Sequence, residues 1–336
     1  MSNINDVCQL AGVSKATVSR VLNGTGQVKQ STKELVYAAM KQLDYHPNSI
    51  ARALATNQTN TIGLVLADFE SDYFANLMQQ AARTAETAGK QLIISGGHNN
   101  ADKEYHEVRM LSDRCDAIVL YTRLMPESML LQLKQELSIP LVLFNREFAN
   151  PKFPSVIFSE KDSVIKMTKY FIDYGHRNIA CIAGHLKQGR SQSRLDSFKL
   201  ALQQNQLELN PELVASGNYT IESGYQACQT LLDKNIPFSA LFAFNDLMAF
   251  GALKALQQRG IRVPEHISLC GIDNTAMAEF TSPALTTFDQ PVKKMADYAI
   301  RLAIELAQNK DLDNQQQHYF EGQLIQRHSV APLYNK

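Results

Sequence analysis

Residues 12–26 read GVSKATVSRVLNGTG, a short stretch in which polar side chains are crowded. Its small and polar residues recur at intervals of three and four positions, so a helix would bring them to one face. That face comprises Lys15, Ala16, Ser19, Arg20 and Asn23. The opposite side is apolar and comprises Val18, Val21 and Leu22. The spacing therefore predicts a helix from Ser14, a suitable N-cap, to about Asn23, with Gly24 as its stop signal.

The preceding segment, INDVCQLAG at 4–12, predicts a second short helix, with Gly12 in the turn between the two. Its apolar positions are Ile4, Val7 and either Cys8 or Leu10. Two short helices joined by a glycine-containing turn match a helix-turn-helix, whose second helix enters the DNA major groove. The spacing fits an ordinary helical hairpin with a solvated face equally well, so both interpretations stay open here.

A third helix is predicted over QSTKELVYAAMKQLDY at 30–45, with Ser31 or Thr32 near its N-cap. Its predicted apolar side comprises Leu35, Val36, Ala39, Met40 and Leu43. The helix should end before Pro47, because the residue ahead of a proline usually leaves helical geometry. The segment that follows, up to residue 60, grades from apolar and basic to Asn- and Thr-rich. Taken alone, it indicates an interdomain tether.

The charge of the chain is unevenly distributed. All 336 residues together carry no net charge, which by itself argues against nucleic acid as a partner. Residues 1–60, however, hold six Lys or Arg against three Asp or Glu. A small basic head on a slightly acidic body is typical of a DNA-contacting module fused to another domain. The excess is modest, so it supports the helix-turn-helix without establishing it.

Composition excludes several classes of protein. With 45% hydrophobic residues the chain is globular rather than disordered, and no apolar run reaches the length of a membrane span. The first residues, MSNINDV, lack the basic and apolar parts of a signal peptide. The five cysteines lie far apart, which indicates reduced thiols of a cytoplasmic protein rather than a disulfide framework or a metal pair.

Motifs for catalysis are weak. Residues 184–191, GHLKQGRS, approach the phosphate-loop pattern GxxxxGK[ST], but Arg190 stands where the phosphate-binding lysine is needed. The eight histidines are scattered without metal-ligand spacing, and neither a GxSxG elbow nor an HExxH pair occurs. We therefore expect no enzyme activity, no cofactor and no metal site.

From Thr61 onward, short apolar runs alternate with amphipathic stretches. The runs are TIGLVLAD, QLIISGG, AIVLYT, IPLVLFN, SVIFS, IACIAG, ALFAFN and ISLCGID. Apolar strands separated by helices indicate parallel sheets covered on both faces, here two doubly wound α/β lobes, whose ligands bind beyond the carboxyl ends of the strands. Polar residues follow four runs, at Asp68, Asn145-Arg146, Asn245-Asp246 and Asp273-Asn274. Each alone suits a helix cap, but four together favour a cleft for a polyhydroxylated ligand.

The order of these parts resembles the lactose-repressor/galactose-repressor (LacI/GalR) family of bacterial transcription regulators over essentially the whole chain. The motifs that carry the resemblance are DVCQLAGVSKATVSRVLNG at 6–24, YHPNSIARALA at 45–55, ALFAFNDLMAFGALKAL at 240–256, ISLCGIDN at 267–274 and SPALTTFDQP at 282–291. The overall texture is most similar to repressors of β-glucoside and galactoside operons.

The resemblance implies a domain organisation and a location. It implies a helix-turn-helix head at 1–47, a hinge helix or linker at 48–58 and a two-lobed periplasmic-binding-protein-like core at 59–336. The N-lobe would comprise about 59–159 and 289–319, and the C-lobe about 160–288 and 320–332. The implied protein is a cytoplasmic, nucleoid-associated homodimer with no membrane partner. The lack of a C-terminal heptad repeat predicts a dimer rather than a tetramer.

The resemblance also implies which residues contact double-stranded operator DNA. Lys15, Ala16 and Arg20 match base-reading positions, and Arg is suited to guanine. Further contacts with phosphates and base edges are implied for Ser14, Thr17, Ser19, Asn23 and Gln27. The hinge from Asn48 to Ala55 would fold into a helix on the operator, with Asn48 in contact and Leu54 wedged into the minor groove.

The implied effector is a small sugar or glycoside held between the lobes. The matching positions are Tyr73, Phe74, Asn145, Phe158, Arg194, Tyr219, Asn245 and Asp273, with the first two at the cleft mouth. Arg194 and Asp273 would grip ring hydroxyls, and Phe158 or Tyr219 would stack on the sugar. Two departures from the family pattern are Ser197, in place of a common glycine, and Asn145, in place of a common Asp. The competing hypothesis is a sugar-binding or sugar-modifying protein without a DNA function.

Overall fold

A computed structural model describes residues 2–23, 26–45, 58–67, 69, 71–185, 189–309 and 316–333. Six residues named above lie outside the described residues: Gly24, Pro47, Asn48, Leu54, Ala55 and Asp68. The chain divides into two compact units, Met1–Asn60 and Thr61–Lys336, here called the head and the core.

The head contains three helices: α1 (Ile4–Ala11), α2 (Lys15–Asn23) and α3 (Gln30–Gln42). A capping box between Asn3 and Asp6 starts α1, and Gly12 ends it with φ +66°, a left-handed conformation that glycine adopts without a steric penalty. The three helices enclose a small apolar core of Val7, Ala11, Val18, Val21, Val36 and Ala39. On the predicted apolar side of α2, Val18 and Val21 are therefore buried and Leu22 is partly buried.

Two details predicted for the head are wrong. The helix α3 begins at Gln30 with Lys29 as its N-cap, so Ser31 and Thr32 already have helical backbones and do not cap it. Leu35, predicted on the apolar side, is 56% exposed, because the small core is already filled by Val36, Ala39 and their partners. In α1, Cys8 rather than Leu10 packs against the core.

The N-lobe of the core is built on a six-stranded sheet in the order β11-β5-β4-β3-β1-β2, in which all neighbours are parallel. Its strands are β1 (Thr61–Leu66), β2 (Gln91–Gly96), β3 (Ala117–Tyr121), β4 (Leu141–Phe144), β5 (Ser155–Phe158) and β11 (Gln317–Phe320). The helices that accompany it are α4 (Asp72–Thr87), α5 (Ala101–Ser112), α6 (Glu127–Glu136) and α12 (Val292–Gln308).

The C-lobe repeats this architecture, with the order β12-β10-β9-β8-β6-β7 and one antiparallel neighbour, β12. Its strands are β6 (Ile179–Ala183), β7 (Val214–Ser216), β8 (Ala240–Ala243), β9 (Ser268–Ile272), β10 (Thr286–Asp289) and β12 (Gln323–Ile325). Its helices are α7 (Glu160–Asp173), α8 (Gly189–Gln204), α9 (Ile221–Asp233), α10 (Asp246–Gln258) and α11 (Met277–Phe280).

All eight apolar runs form strands, and the predicted pair of doubly wound lobes is confirmed. The chain passes between the lobes three times: after β5, after β10 and after β11. Four strands escaped prediction, namely β7, β10, β11 and β12, because they span only three or four residues and several carry polar side chains. No helix within the described ranges is long and apolar enough to cross a membrane.

Candidate functional site

A cavity of about 280 Å³ lies between the two lobes of the core. The N-lobe lines it with the start of α4 and with residues beyond β2 and β3. The C-lobe lines it with α8 and with residues beyond β7, β8 and β9, while Gln290 follows β10 at a crossing. The cavity therefore lies at the carboxyl edges of both sheets, where doubly wound folds bind ligands.

Six of the eight predicted effector residues line this cavity: Tyr73, Phe74, Arg194, Tyr219, Asn245 and Asp273. Asn145 and Phe158 instead line a neighbouring cavity of about 640 Å³, which shares Tyr121 and Arg123 with the first. Phe158 is almost fully buried in the apolar core, so its ring is not presented for stacking.

Asn145 nevertheless touches the wall of the main cavity. Its amide nitrogen donates to the Tyr73 hydroxyl at 3.4 Å, and its amide oxygen accepts the Phe158 backbone N–H at 3.1 Å. An amide can donate and accept at once, whereas the carboxylate common at this position in the family accepts only. Asn145 thus contributes to the main cavity indirectly, through its hydrogen bond to the lining residue Tyr73.

Arg194 is buried and well partnered. Its Nε and Nη2 both contact Glu160 Oε1, at 2.6 and 2.5 Å, and its Nη1 donates to the Phe244 carbonyl oxygen. Its guanidinium also lies 5.9 Å from the centre of the Tyr219 ring. A buried charge needs such partners because desolvation is costly. Since Arg194 pairs with Glu160 and not with Asp273, the two predicted ligand-gripping charges remain separate.

Tyr219 and Asn245 form a second connected pair in the C-lobe. The Tyr219 hydroxyl is hydrogen-bonded to Ser191 Oγ at 2.6 Å, and the Asn245 amide donates to the Tyr219 carbonyl oxygen at 3.1 Å. Asn245 also caps α10 by accepting the Met248 backbone N–H at 2.9 Å. The capping role considered for Asn245 is therefore real, and the residue lines the cavity as well.

Asp273 and Gln290 face the cavity together. The Gln290 amide nitrogen donates to Asp273 Oδ1 at 2.5 Å. Gln290 is buried, and its Oε1 has no hydrogen-bond partner among the described residues. A buried acceptor without a partner is destabilising by about 1–3 kcal/mol.

The N-lobe wall is aromatic and cationic. Phe74 and Tyr121 pack edge to face with their ring centres 5.0 Å apart, and the Arg123 guanidinium lies 5.5 Å from each ring centre. Tyr73 and Phe74 are buried in this cluster, so the predicted placement of both at the cleft mouth is wrong. Both rings are buried because they pack on Tyr121, the last residue of β3.

Other lining residues were not predicted. They include Arg123, Asn218, Thr220, Thr275 and Gln290. The N-lobe adds Ser71, Asp72, Asn99 and Tyr121, and the C-lobe adds Leu247. The strand-end rule identifies Arg123, two residues beyond the run AIVLY, and Gln290, directly after TTFD, once β10 is recognised as a strand.

The described lining residues carry balanced charge, with the carboxylates of Asp72 and Asp273 and the guanidiniums of Arg123 and Arg194. Among the residues that the structure describes, no group of three His, Cys, Asp or Glu side chains is arranged to hold a metal ion. The geometry suits hydrogen bonding to a polar ligand.

The head presents a separate candidate surface. Ser14 Oγ accepts the Thr17 backbone N–H at 3.2 Å and is hydrogen-bonded to the Thr17 hydroxyl at 2.9 Å, so Ser14 caps α2 as predicted. Lys15, Ala16 and Arg20 are exposed on α2, and Gln27 is exposed after it. Ser19 and Thr17 are partly exposed, and Asn23 ends the helix.

Comparisons with known proteins cover both units. Residues 3–48 match the family model of bacterial regulatory proteins of the lacI family, and residues 168–330 match a periplasmic binding protein-like domain. The chain is 38% identical to the HTH-type transcriptional regulator AscG of Escherichia coli (strain K12), over 99% of each chain. The chain belongs to the LacI family. It is a DNA-binding transcription repressor regulated by small-molecule effectors, and its relatives are regulators rather than enzymes.

Solved structures of LacI-family proteins share the fold. The Lac repressor dimer bound to operator and the anti-inducer ONPF is 26% identical, with a TM-score of 0.89, covering 98% of this chain and 99% of that one. The transcriptional regulator CelR in complex with cellobiose is 29% identical, with a TM-score of 0.73, covering 98% and 100%. The predicted head and two-lobed core are thereby confirmed.

Replacement of Glu160 tests the buried ion pair of this LacI-family protein. We expect Glu160→Gln to lower the free energy of unfolding by about 3 kcal/mol, because it leaves the Arg194 guanidinium buried without its counter-charge. Urea denaturation measures the change. Glu321→Gln is the matched control, since the Lys166–Glu321 pair is exposed on both sides and should contribute less than about 1 kcal/mol. Equal losses of unfolding free energy in the two variants would contradict the role of Glu160 as the counter-charge of a buried Arg194.

Proposed function

We propose that this protein represses a sugar-utilisation operon by binding a palindromic operator as a homodimer, with a small sugar or glycoside as its effector. The effector changes operator occupancy, either releasing the protein or retaining it on the DNA. Operator binding places the protein in the bacterial cytoplasm, on the nucleoid. The observation that carries the proposal is a cavity in which both lobes supply hydrogen-bonding side chains beside aromatic rings.

The polar groups of the cavity suit a carbohydrate. Asp273 and Asn245, which line the cavity, have short side chains that pair with adjacent hydroxyls. Tyr219 offers a partly exposed aromatic face beside Arg194. The cellobiose complex of CelR supports a sugar in the equivalent lobed fold.

The charge and size of the cavity narrow the effector further. Two carboxylates balance two guanidiniums among the described lining residues, which favours an uncharged sugar over a phosphorylated one. The main cavity, about 280 Å³, is at the small end of ligand sites, which span roughly 300–1,000 Å³. The neighbouring cavity, of about 640 Å³, has the lining residues Tyr121 and Arg123 in common with the main cavity, so a glycoside can extend a second ring or aglycone there.

For operator reading, we propose the exposed face of α2. Arg20 can donate two hydrogen bonds to a guanine edge, Ala16 can meet a thymine methyl, and Lys15 adds a cation beside them. Because Val18 and Val21, on the opposite side of α2, are buried in the core of the head, this face is exposed. The proposed contacts at Asn48 and Leu54, in the hinge, rest on the family resemblance alone.

A substitution at Arg20 tests the reading of bases. Arg20→Ala should weaken binding to a palindromic duplex selected from a random library by roughly 1–3 kcal/mol, with a much smaller loss on random duplex. Fluorescence anisotropy measures both affinities. Lys41→Ala, which removes an exposed cation from α3 of the same head, is the control and should not change the preference between duplexes. A uniform loss on both duplexes for Arg20→Ala would remove it from the base-reading set.

A substitution at Asp273 tests the effector site. Asp273→Asn should bind operator like the wild type but should respond to effector only at about tenfold higher concentration, because the amide accepts ligand hydroxyls less strongly. The measurement is operator occupancy against methyl β-D-glucopyranoside, methyl β-D-galactopyranoside, cellobiose and their 6-phosphates. Asp196→Asn, an equal charge change at an exposed position of α8, is the control. An unchanged response would exclude Asp273, and a wild type insensitive to every sugar would exclude the sugar proposal.

We propose that apolar surface of the core forms the dimer contact; the Lac repressor, a structure of the same fold, is also a dimer. Phe280 is 78% exposed and Met277 is 57% exposed on the single turn of α11, an arrangement that a second copy can cover. Phe280→Asp should convert the dimer into a monomer in sedimentation-velocity runs, because burying a carboxylate opposes association. Tyr37→Asp, at an exposed aromatic residue of the head, should remain dimeric. A dimeric Phe280→Asp protein would move the interface elsewhere.

A further inference from the structure

Asp246 is a fully buried carboxylate directly behind the cavity. It is the first residue of α10 and follows the cavity-lining Asn245. Its Oδ2 accepts the Thr275 backbone N–H at 2.8 Å and the Thr275 hydroxyl at 3.2 Å. Its Oδ1 accepts the Thr287 hydroxyl at 2.5 Å. One side chain therefore joins α10, the loop after β9 and the strand β10.

Each of these three segments carries or adjoins residues that line the cavity. Asn245 precedes Asp246, Asp273 and Thr275 belong to the loop, and Gln290 follows β10 three residues after Thr287. Gln290 in turn donates to Asp273, which closes the connection on the cavity side. The relative positions of four lining residues thus depend on the hydrogen bonds of a carboxylate that does not itself line the cavity.

The loop after β9 is strained, and this network holds it. Asp273 has φ 115° and Asn274 has φ 51°, values that side chains with a Cβ rarely adopt. The Asn274 N–H donates to Thr287 Oγ1 at 3.2 Å, and that hydroxyl donates onward to Asp246. Strain of this kind persists only where surrounding contacts enforce it, and it is frequent at ligand sites.

The space around Asp246 is also specific. A Cβ built on Gly271, in β9, would lie 2.3 Å from Asp246 Oδ1, so only glycine at that position leaves room for the carboxyl group.

We propose that Asp246 is the positioning residue of the effector site, holding the strained 273–275 loop so that Asp273 and Thr275 meet the ligand in one geometry. The inference rests on the proposed effector function of the cavity. Asp246 acts through the loop, and it makes no contact with the ligand.

The protonation state of Asp246 indicates which substitution should preserve its role. Burial, together with the nearby Asp273 charge, raises the pKa of Asp246 to about 8, although the Thr287 and Thr275 hydrogen bonds act in the opposite direction. The other titratable group facing it is the Cys270 thiol on β9, whose own pKa burial raises far above its usual range, so it stays neutral. Because burial disfavours the charged form of Asp246, asparagine, an uncharged side chain of the same shape, is its closest replacement.

The experiment compares four variants of the full chain. Asp246→Asn keeps an acceptor for Thr275 and replaces the oxygen that accepts from Thr287 with an amide N–H, which donates to the Thr287 hydroxyl oxygen instead. Asp246→Ala removes both groups, and Thr287→Val removes one hydroxyl without a change of shape. Ser329→Ala is the matched control: Ser329 is a buried hydroxyl bridging the same strands, donating to the Leu269 carbonyl and accepting the Thr286 N–H, at their ends remote from the cavity.

Calorimetric titration with methyl β-D-glucopyranoside and with cellobiose measures ligand affinity, and hydrogen–deuterium exchange follows the amides of Asn274 and Thr275 in the ligand-free protein. We expect Asp246→Ala and Thr287→Val to lose affinity by about tenfold and to exchange these amides faster, with effector-free operator binding unchanged. Asp246→Asn should stay within about threefold of the wild type. Ser329→Ala should lose thermal stability but keep both ligand affinity and slow exchange.

Specific outcomes would overturn the inference. Wild-type affinity in Thr287→Val, or an equal loss in Ser329→Ala, would show that the network does not position the site. Failure of Asp246→Asn to rescue what Asp246→Ala loses would do the same. If the wild type binds neither of these two sugars, hydrogen–deuterium exchange alone tests the inference: unchanged protection of Asn274 and Thr275 in Thr287→Val would overturn the role of Asp246, whereas the proposed function is tested separately by the wider sugar panel.

Discussion

In a parallel sheet all strands end at the same edge, and this constraint determines where the core of this LacI-family protein can bind a ligand. Both six-stranded sheets are parallel apart from one short strand, and the chain passes between them three times. The crossings bring the two carboxyl edges to a common cleft, where residues such as Arg123, Arg194 and Asn245 converge. Residues far apart in sequence therefore form one site without long loops of their own.

Desolvation decides which of these side chains are available to a ligand. Arg194 is held by Glu160 and by the Phe244 carbonyl, so its charge is compensated within the protein. The amide nitrogen of Gln290 donates to Asp273, while its Oε1 has no hydrogen-bond partner among the described residues. The buried network thus compensates the charge of Arg194 within the protein, which favours a neutral hydrogen-bonding ligand over an ion.

The regular parts of the fold could be predicted from the sequence, because the spacing of apolar residues follows directly from which side chains are buried. The eight apolar runs and the polar face of α2 are of this kind. The spacing does not show where side chains at strand ends point: Asn145 follows a predicted strand yet lines the neighbouring cavity, and Phe158 ends one yet is buried in the apolar core. Leu35 shows the same limit in the head, where the size of the core, rather than the spacing, decides what is buried.

The placement of the cavity between two lobes bears on regulation. A ligand shifts an equilibrium only by its differential affinity for the two states, so a sugar that touched one lobe alone would bind every interlobe arrangement equally. Here the lining is divided: Tyr73 and Arg123 come from the N-lobe, and Asn245 and Asp273 from the C-lobe. A ligand bound by both sets must favour the arrangement that brings them together. The strained loop at Asp273 then matters because a loosely held acceptor would follow the ligand in either arrangement and would weaken that preference.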